Sequence, residues 1–195
     1  PFGMAWSSNL CCYIKFGENT ADVFDQNGYS QQYGFQPGSS VYVAKPGNVS
    51  ESKGHLNSLN KVGDRWVYKK KFGGRVEYEE AQGTQFVPAD RTNASAKGKR
   101  IKFARAVSAF DQYGNELRYE YEGPSDIIPS RIYDPVRIGS QMFIRKSGNR
   151  VTNIWDPKGN ETVYTYDGLL LTEVARPDGS TVTYTYDEVT EPDKN

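Results

Sequence analysis

"WDPKGNETVYTYDG", residues 155–168, decides how this chain folds. Tyr164 and Tyr166 are two apart, so on a strand both rings stand on one face, with Val163 and Thr165 on the other. Asp167-Gly168 is a two-residue hairpin signal, because glycine tolerates the positive φ that a type I′ turn demands. The chain then returns through "LLLTEVA", residues 169–175, to Arg176-Pro177-Asp178-Gly179. There Pro177 presets φ and Gly179 suits the left-handed position. Two strands and two turns complete one unit, and "RPDGSTVTYTYDE", residues 176–188, begins it again.

The self-alignment is regular over the C-terminal part of the chain. Gly139, Gly159 and Gly179 fall at a spacing of 20, as do Gly148 and Gly168, Val151 and Leu171, Thr152 and Thr172, Ile154 and Val174, and Pro157 and Pro177. Tyr164, Tyr166 and Asp167 align with Tyr184, Tyr186 and Asp187, while Ile144 holds the first tyrosine position one unit earlier. A fixed period of this length marks a repeat architecture. Successive units are expected to pair as a continuous antiparallel meander, with Tyr164 near Tyr184.

Less regular copies lie upstream. "FDQYGNELRYEYEG", residues 110–123, carries Asp111, Gly114, Tyr119 and Tyr121 at the offsets of Asp156, Gly159, Tyr164 and Tyr166. "FDQNGYSQQYGF", residues 24–35, carries Asp25, Gly28, Tyr33 and Phe35 likewise. An Asp three residues before a Gly suits an Asx-type turn. "WVYKKKFGGRVEYEE", residues 66–80, reads as two alternating strands about Gly73-Gly74, and residues 46–60 and 88–100 read as polar surface loops. The expected organisation is an irregular β-rich region over 1–105, repeat hairpins over 106–188 and a polar tail over 189–195.

Composition agrees with an all-β chain that has little or no helix. Of 195 residues, 14 are tyrosine, 19 glycine and 10 proline, a mixture that favours strands and turns. The 24 basic and 24 acidic side chains cancel, so no global field points to nucleic acid or an acidic membrane surface. No apolar run reaches the roughly 18 residues that span a bilayer, and the beginning lacks a signal-peptide pattern. Starting at Pro1, the chain reads as a piece of a longer protein.

The residue types that carry chemistry are sparse. His55, the single histidine, lies in a polar loop with no partner constellation around it. Cys11 and Cys12 are adjacent, so on a strand they point to opposite faces; they read as small strand residues, with a strained vicinal or an intermolecular disulfide as the alternatives. Glu77, Glu79 and Glu80 are enough carboxylates for a glycosidase, yet the alternation in "RVEYEE" places Glu77 and Glu79 on one solvated face. Lys69, Lys70 and Lys71, with Lys97, Lys99, Arg100, Lys102 and Arg105, sit at loop–strand junctions, where charge guards sheet edges. The sequons at Asn48, Asn93 and Asn160 bear on function only along a eukaryotic secretory route. The reading is therefore no enzyme, no cofactor and no metal.

The tail resembles the YD repeats of Rhs-type proteins, named for the Tyr-Asp pair that appears here as Tyr166-Asp167 and Tyr186-Asp187. That family includes bacterial Rhs proteins, toxin-complex shells and the animal teneurins. "PFGMAWSSNL", residues 1–10, is similar to the G-x-W-S-x-N phrase that often opens the β-rich region of bacterial Rhs proteins. The resemblance implies a spiralling β-sheet, of which this chain would form a partial shell, and an exported or cell-surface setting in which the parent wall encloses a toxin domain. It implies as partners the other repeats of the parent chain, or further copies of this one, met through edge strands. The Asp-Pro pairs in "YDPVRIG" and "WDPKG" lie inside the repeat register and read as turns rather than cleavage elements. The function expected is a structural scaffold; the alternative is a carbohydrate- or receptor-binding adhesin module that uses exposed tyrosine and tryptophan rings.

Overall fold

A computed structural model describes residues 12–24, 30–35, 41–44, 57–87 and 99–186. Among these residues there is no helix, and the chain is an all-β antiparallel meander. Its first strands are β1 (Tyr13–Phe16), β2 (Thr20–Phe24), β3 (Ser30–Phe35), β4 (Val41–Ala44), β5 (Ser58–Val62), β6 (Arg65–Lys69), β7 (Arg75–Glu80) and β8 (Gln85–Val87). Then come β9 (Lys99–Phe110), β10 (Glu116–Glu120), β11 (Arg131–Tyr133) and β12 (Gln141–Ser147). The last are β13 (Arg150–Trp155), β14 (Glu161–Asp167), β15 (Leu170–Ala175) and β16 (Thr181–Thr183).

The pairings divide the sheet into a ring and an arm. Strands β1 to β7 pair in chain order, β7 passes to β9, and β9 pairs back onto β1 from Tyr13↔Arg105 to Phe16↔Lys102. Eight strands thus form a closed circuit, and an even number is what lets every neighbour remain antiparallel. Near its end β9 exchanges β1 for β10, through Ser108↔Arg118 to Phe110↔Glu116. From there β10 to β16 run on as a meander that does not close on itself, so the sheet as a whole stays open at β16.

The ring is filled by its own side chains. Ile14, Ala21, Val23, Tyr33, Leu59, Trp66, Tyr68, Val76, Tyr78, Ala104 and Ala106 are buried, each at an inward step of a period-two alternation. Eight strands leave an interior just wide enough for side chains. Here bulk is complemented across the ladder, with Tyr33 opposite Ala21 and Tyr78 opposite Ala106. Each large ring or aliphatic group so buried contributes about 1.5–3 kcal/mol. Three polar tips inside the ring are satisfied locally: the Tyr33 hydroxyl donates to Gln31 Oε1 at 2.8 Å, the Asn57 amide to the Tyr68 hydroxyl at 2.9 Å, and the Trp66 indole to Glu80 Oε1 at 3.1 Å. Burial, reinforced by Tyr68, pushes the Tyr33 phenol far above its ordinary range.

A second cluster fastens the arm to the outside of the ring. Ile128, Ile144 and Val151 are its buried centre, with Ile127, Ile132, Met142, Ile154, Tyr164 and Tyr13 packed against them. Tyr13 comes from β1, whose Ile14 points inward, so its ring lies on the outer wall, stacked on Phe24 with centroids 4.5 Å apart. The joint is also tied by charge. Arg105 pairs with Glu79 at 2.8 Å, donates to the Gly123 and Asp126 carbonyls at 2.6 and 3.0 Å, and lies 4.2 Å over the Tyr121 ring. Lys146 pairs with Asp126 and approaches Glu122 at 3.8 Å.

Several sequence boundaries move. β5 begins at Ser58 and β9 at Lys99, inside the stretches read as loops, because each finds a ladder partner there. The line drawn at residue 105 falls within β9, which serves ring and arm together. Asp167 is not a loop residue: it pairs with Leu170, and the two-residue loop is Gly168-Leu169, with Gly168 at φ 53°. Strand β15 lies between β14, which carries Tyr164, and β16, which Tyr184 follows; burial first, and then Tyr184, disfavours ionisation of Tyr164.

Candidate functional site

Each repeat is built from two turns and a tyrosine. At one end of the sheet, residues 70–74, 111–115, 156–160 and 176–180 form five-residue loops with the same backbone bonds. The first residue donates to the carbonyl of the fifth, and the fourth donates back to the carbonyl of the first. The fourth residue is always glycine with positive φ: Gly73 at 95°, Gly114 at 87°, Gly159 at 85° and Gly179 at 81°. This is a tight turn followed by a left-handed residue.

The leading Asp locks two of these loops. Asp156 Oδ1 accepts from the backbone N–H groups of Lys158 and Asn160 at 2.8 and 2.9 Å, while its Oδ2 accepts from the Asn160 amide at 2.8 Å. Asp111 repeats every one of these bonds with Tyr113 and Asn115. The Asn side chain, then the backbone donors, hold the Asp156 carboxyl below its usual range; Asn115 does the same for Asp111. Where Arg176 replaces the leading Asp, Asp178 keeps one bond, to the Ser180 N–H at 2.9 Å.

The second tyrosine of each Tyr-x-Tyr pair performs a task that strand alternation does not describe. Tyr121, Tyr166 and Tyr186 donate their hydroxyls to the carbonyls of Ala106, Val151 and Leu171, each at 2.7 Å and each 15 residues back. All three accepting residues are buried. In every case the next residue is the extra one of a β-bulge. The pairing skips Val107 between Glu77↔Ser108 and Tyr78↔Ala106, Thr152 between Arg145↔Asn153 and Lys146↔Val151, and Thr172 between Thr165↔Glu173 and Tyr166↔Leu171. A bulge interrupts the ladder, and at each one the hydroxyl gives the adjoining buried carbonyl a donor. Arg105 and Arg150, each preceding an accepting residue, lie 4.2 and 5.5 Å over the Tyr121 and Tyr166 rings. Arg150 also donates to the Gly168 carbonyl.

The first tyrosines are packing groups. Tyr119 is buried within the ring cluster, and Tyr164 is half-buried against the second cluster. Burial is the leading reason that Tyr164 and Tyr166 ionise reluctantly, with Tyr166 pushed up to about 12. Of the predicted signature residues, Asp111, Gly114, Tyr119, Tyr121, Asp156, Gly159, Tyr164, Tyr166, Asp167, Gly168, Gly179, Tyr184 and Tyr186 all fall within the repeat hairpins. Asp187, the hairpin residues Asp25 and Gly28, His55 and Cys11 lie outside the described residues. Sequence reasoning missed Asn115 and Asn160, the stacking arginines and the bulges. The shared "GN" of "DQYGN" and "DPKGN", and the aligned Thr152 and Thr172, were the available signals.

The carboxylates considered for glycoside chemistry are engaged in ion pairs. Glu77 pairs with Arg75 at 2.9 Å, Glu79 with Arg65 and Arg105 at 2.9 and 2.8 Å, and Glu80 with Lys61 at 2.8 Å. The Lys61 ammonium, then the Trp66 indole, hold Glu80 below the usual carboxylate range against the effect of burial. Cys12 is buried. Among the described residues, no group of three or more His, Cys, Asp or Glu could hold a metal. Two shallow clefts are present. One, of about 330 Å³, lies between the loops at 70–74 and 111–115, and the other, of about 790 Å³, lies beside Lys15, Phe16, Arg100 and Lys102. Compared with known proteins, the chain matches no family model and no curated sequence.

Proposed function

We propose that the chain is a non-enzymatic β-repeat scaffold, a segment of an exported or cell-surface wall of the Rhs or YD-repeat kind whose parent encloses a further domain. The observation that carries this reading is the recurrence of one lock: a tyrosine hydroxyl on the carbonyl before a bulge, three times, each across 15 residues. A device repeated with its loop, its glycine and its bulge is what a growing sheet needs, because each unit must present the same edge to the next. The tyrosines that an adhesin would display are turned to this use. Strand β16 offers the edge on which a further unit would pair.

The test is to lengthen the arm. Tandem duplication of residues 157–176 inserts one more unit, and the expected product is monodisperse, keeps its β-sheet circular dichroism per residue and melts no lower than the parent. A duplicated chain that aggregates or loses cooperative melting would sink the modular reading. Glycan-array binding that Tyr164→Ala and Tyr184→Ala abolish without loss of folding would select the adhesin instead.

A further inference from the structure

The turns along one end of the sheet carry more apolar surface than a solvated rim requires. The loops at 70–74, 111–115 and 134–140 lie side by side there, because Arg75, which follows the first, pairs with Phe110, which precedes the second, and β10, which leaves the second, pairs through Arg118 with Tyr133, which precedes the third. The first two touch: a Cβ built on Gly73 would stand 3.5 Å from the Gln112 Cβ. At their tips Phe72, Tyr113 and Val136 are 76 %, 81 % and 84 % exposed, and Ile138 is fully exposed. Loops joining neighbouring hairpins of a sheet are spaced by about two strand separations, roughly 10 Å. The four side chains therefore form one fringe along the end of the sheet rather than scattered single residues.

The charge on this fringe is asymmetric in reach. Its leading carboxylates are held at the bases of the loops by backbone donors: Asp111 by Tyr113 and Asn115, Asp134 by Val136 and Arg137, and Asp156 by Lys158 and Asn160, while Asp178 stands at the tip of its own loop, bonded to the Ser180 N–H. The cations Lys71, Arg137 and Lys158 are exposed near the tips of their loops. Lys71 Nζ lies 5.3 Å from the Phe72 ring centre, and Arg137, between Val136 and Ile138, makes only a 3.6 Å contact with Asp134. Aromatic and aliphatic tips flanked by snorkelling cations match the boundary between headgroups and acyl chains.

We propose that this fringe docks the protein on the surface of a bilayer that contains anionic lipid. Phe72, Tyr113, Val136 and Ile138 enter the headgroup–acyl boundary, while Lys71, Arg137 and Lys158 meet the anionic headgroups. The contact is peripheral, since the strands behind the loops belong to a packed sheet and take no part in spanning.

Vesicle flotation tests this directly. The whole chain should float with phosphatidylcholine–phosphatidylglycerol vesicles, much less with phosphatidylcholine alone, and less again at high salt. The combined variant Phe72→Ser, Tyr113→Ser, Val136→Ser, Ile138→Ser should lower partitioning about tenfold or more. Lys71→Glu and Arg137→Glu should each lower it about fivefold or more. All six positions are exposed, so the melting temperature should hold; the two charge variants keep the test decisive if the combined variant is less stable. Failure of the parent to float with either vesicle, or flotation unchanged in the variants, overturns the proposal. So does concentration-dependent self-association without lipid that the combined variant abolishes, since the fringe would then be a contact between copies.

Discussion

Removing one oxygen atom from Tyr166 isolates the lock on which the repeat depends. In Tyr166→Phe the ring keeps its place beneath Arg150, but the Val151 carbonyl loses the donor now 2.7 Å away. Val151 is fully buried, so water has poor access to replace that donor. A typical hydrogen bond contributes about 0.5–1.5 kcal/mol net, and an abandoned buried acceptor costs about 1–3 kcal/mol. With Val151 buried beside a bulge, the expected loss sits in the middle of that range, about 2 kcal/mol. For a domain of this size that is a fall of about 4–8 °C in melting temperature. Urea titration followed by circular dichroism measures it, with Tyr113→Phe as the control. Tyr113 is 81 % exposed, and its variant should stay within about 0.5 kcal/mol of the parent. If Tyr166→Phe proves as mild as the control, the hydroxyl is an ornament and the lock is refuted; if Tyr121→Phe and Tyr186→Phe match Tyr166→Phe, the unit is general.

Two further outcomes follow from the same geometry. Gly159 holds φ at 85° with nothing near the site of a new Cβ, so Gly159→Ala should cost about 1–2 kcal/mol from backbone conformation alone, measurable in the same titration; a neutral result would mean that the loop relaxes into another turn type. Tyr166 titrates near 12 when folded against an ordinary value of 10.0. Because the unfolded chain releases this proton first, the stabilisation is complete below pH 10 and falls as the pH rises toward 12. Stability measured across that window should decline less steeply in Tyr166→Phe than in the parent, and equal slopes would remove Tyr166 as a source of the decline.

The arm was legible in the sequence because its information is local. Gly159, Tyr164 and Gly168 recur at a fixed spacing, and each acts on a turn or a strand within its own unit. The ring was not legible, since its closure depends on β1 meeting β9 across about ninety residues, and nothing in "YIKF" names "KFAR" as its partner. Tyr78 opposite Ala106 and Tyr33 opposite Ala21 are complementary in size, but such pairs become visible only once the strand order is known. The second tyrosine was identified, but the partner of its hydroxyl was not. Period-two alternation places Tyr166 beside Tyr164, whereas a bulge and a carbonyl 15 residues back decide where its hydroxyl goes. Asn115 and Asn160 were in plain view beside their glycines, yet a pattern of two letters carries little weight until a carboxylate is seen to use both the backbone and the amide.

Strand β9 gives the molecule a direction in which to come apart. A tension applied at the last strands reaches one hairpin at a time, because β16 is held by β15 and β15 by β14, so the arm can be peeled back in sequence. The peeling reaches β10 and then meets a strand gripped on both flanks, by β7 along most of its length and by β1 and β10 in succession. A closed circuit has no outermost strand to lift, and its opening requires several rows of hydrogen bonds to yield together. The protein thus joins a part that can pay out length under load to an anchor that cannot.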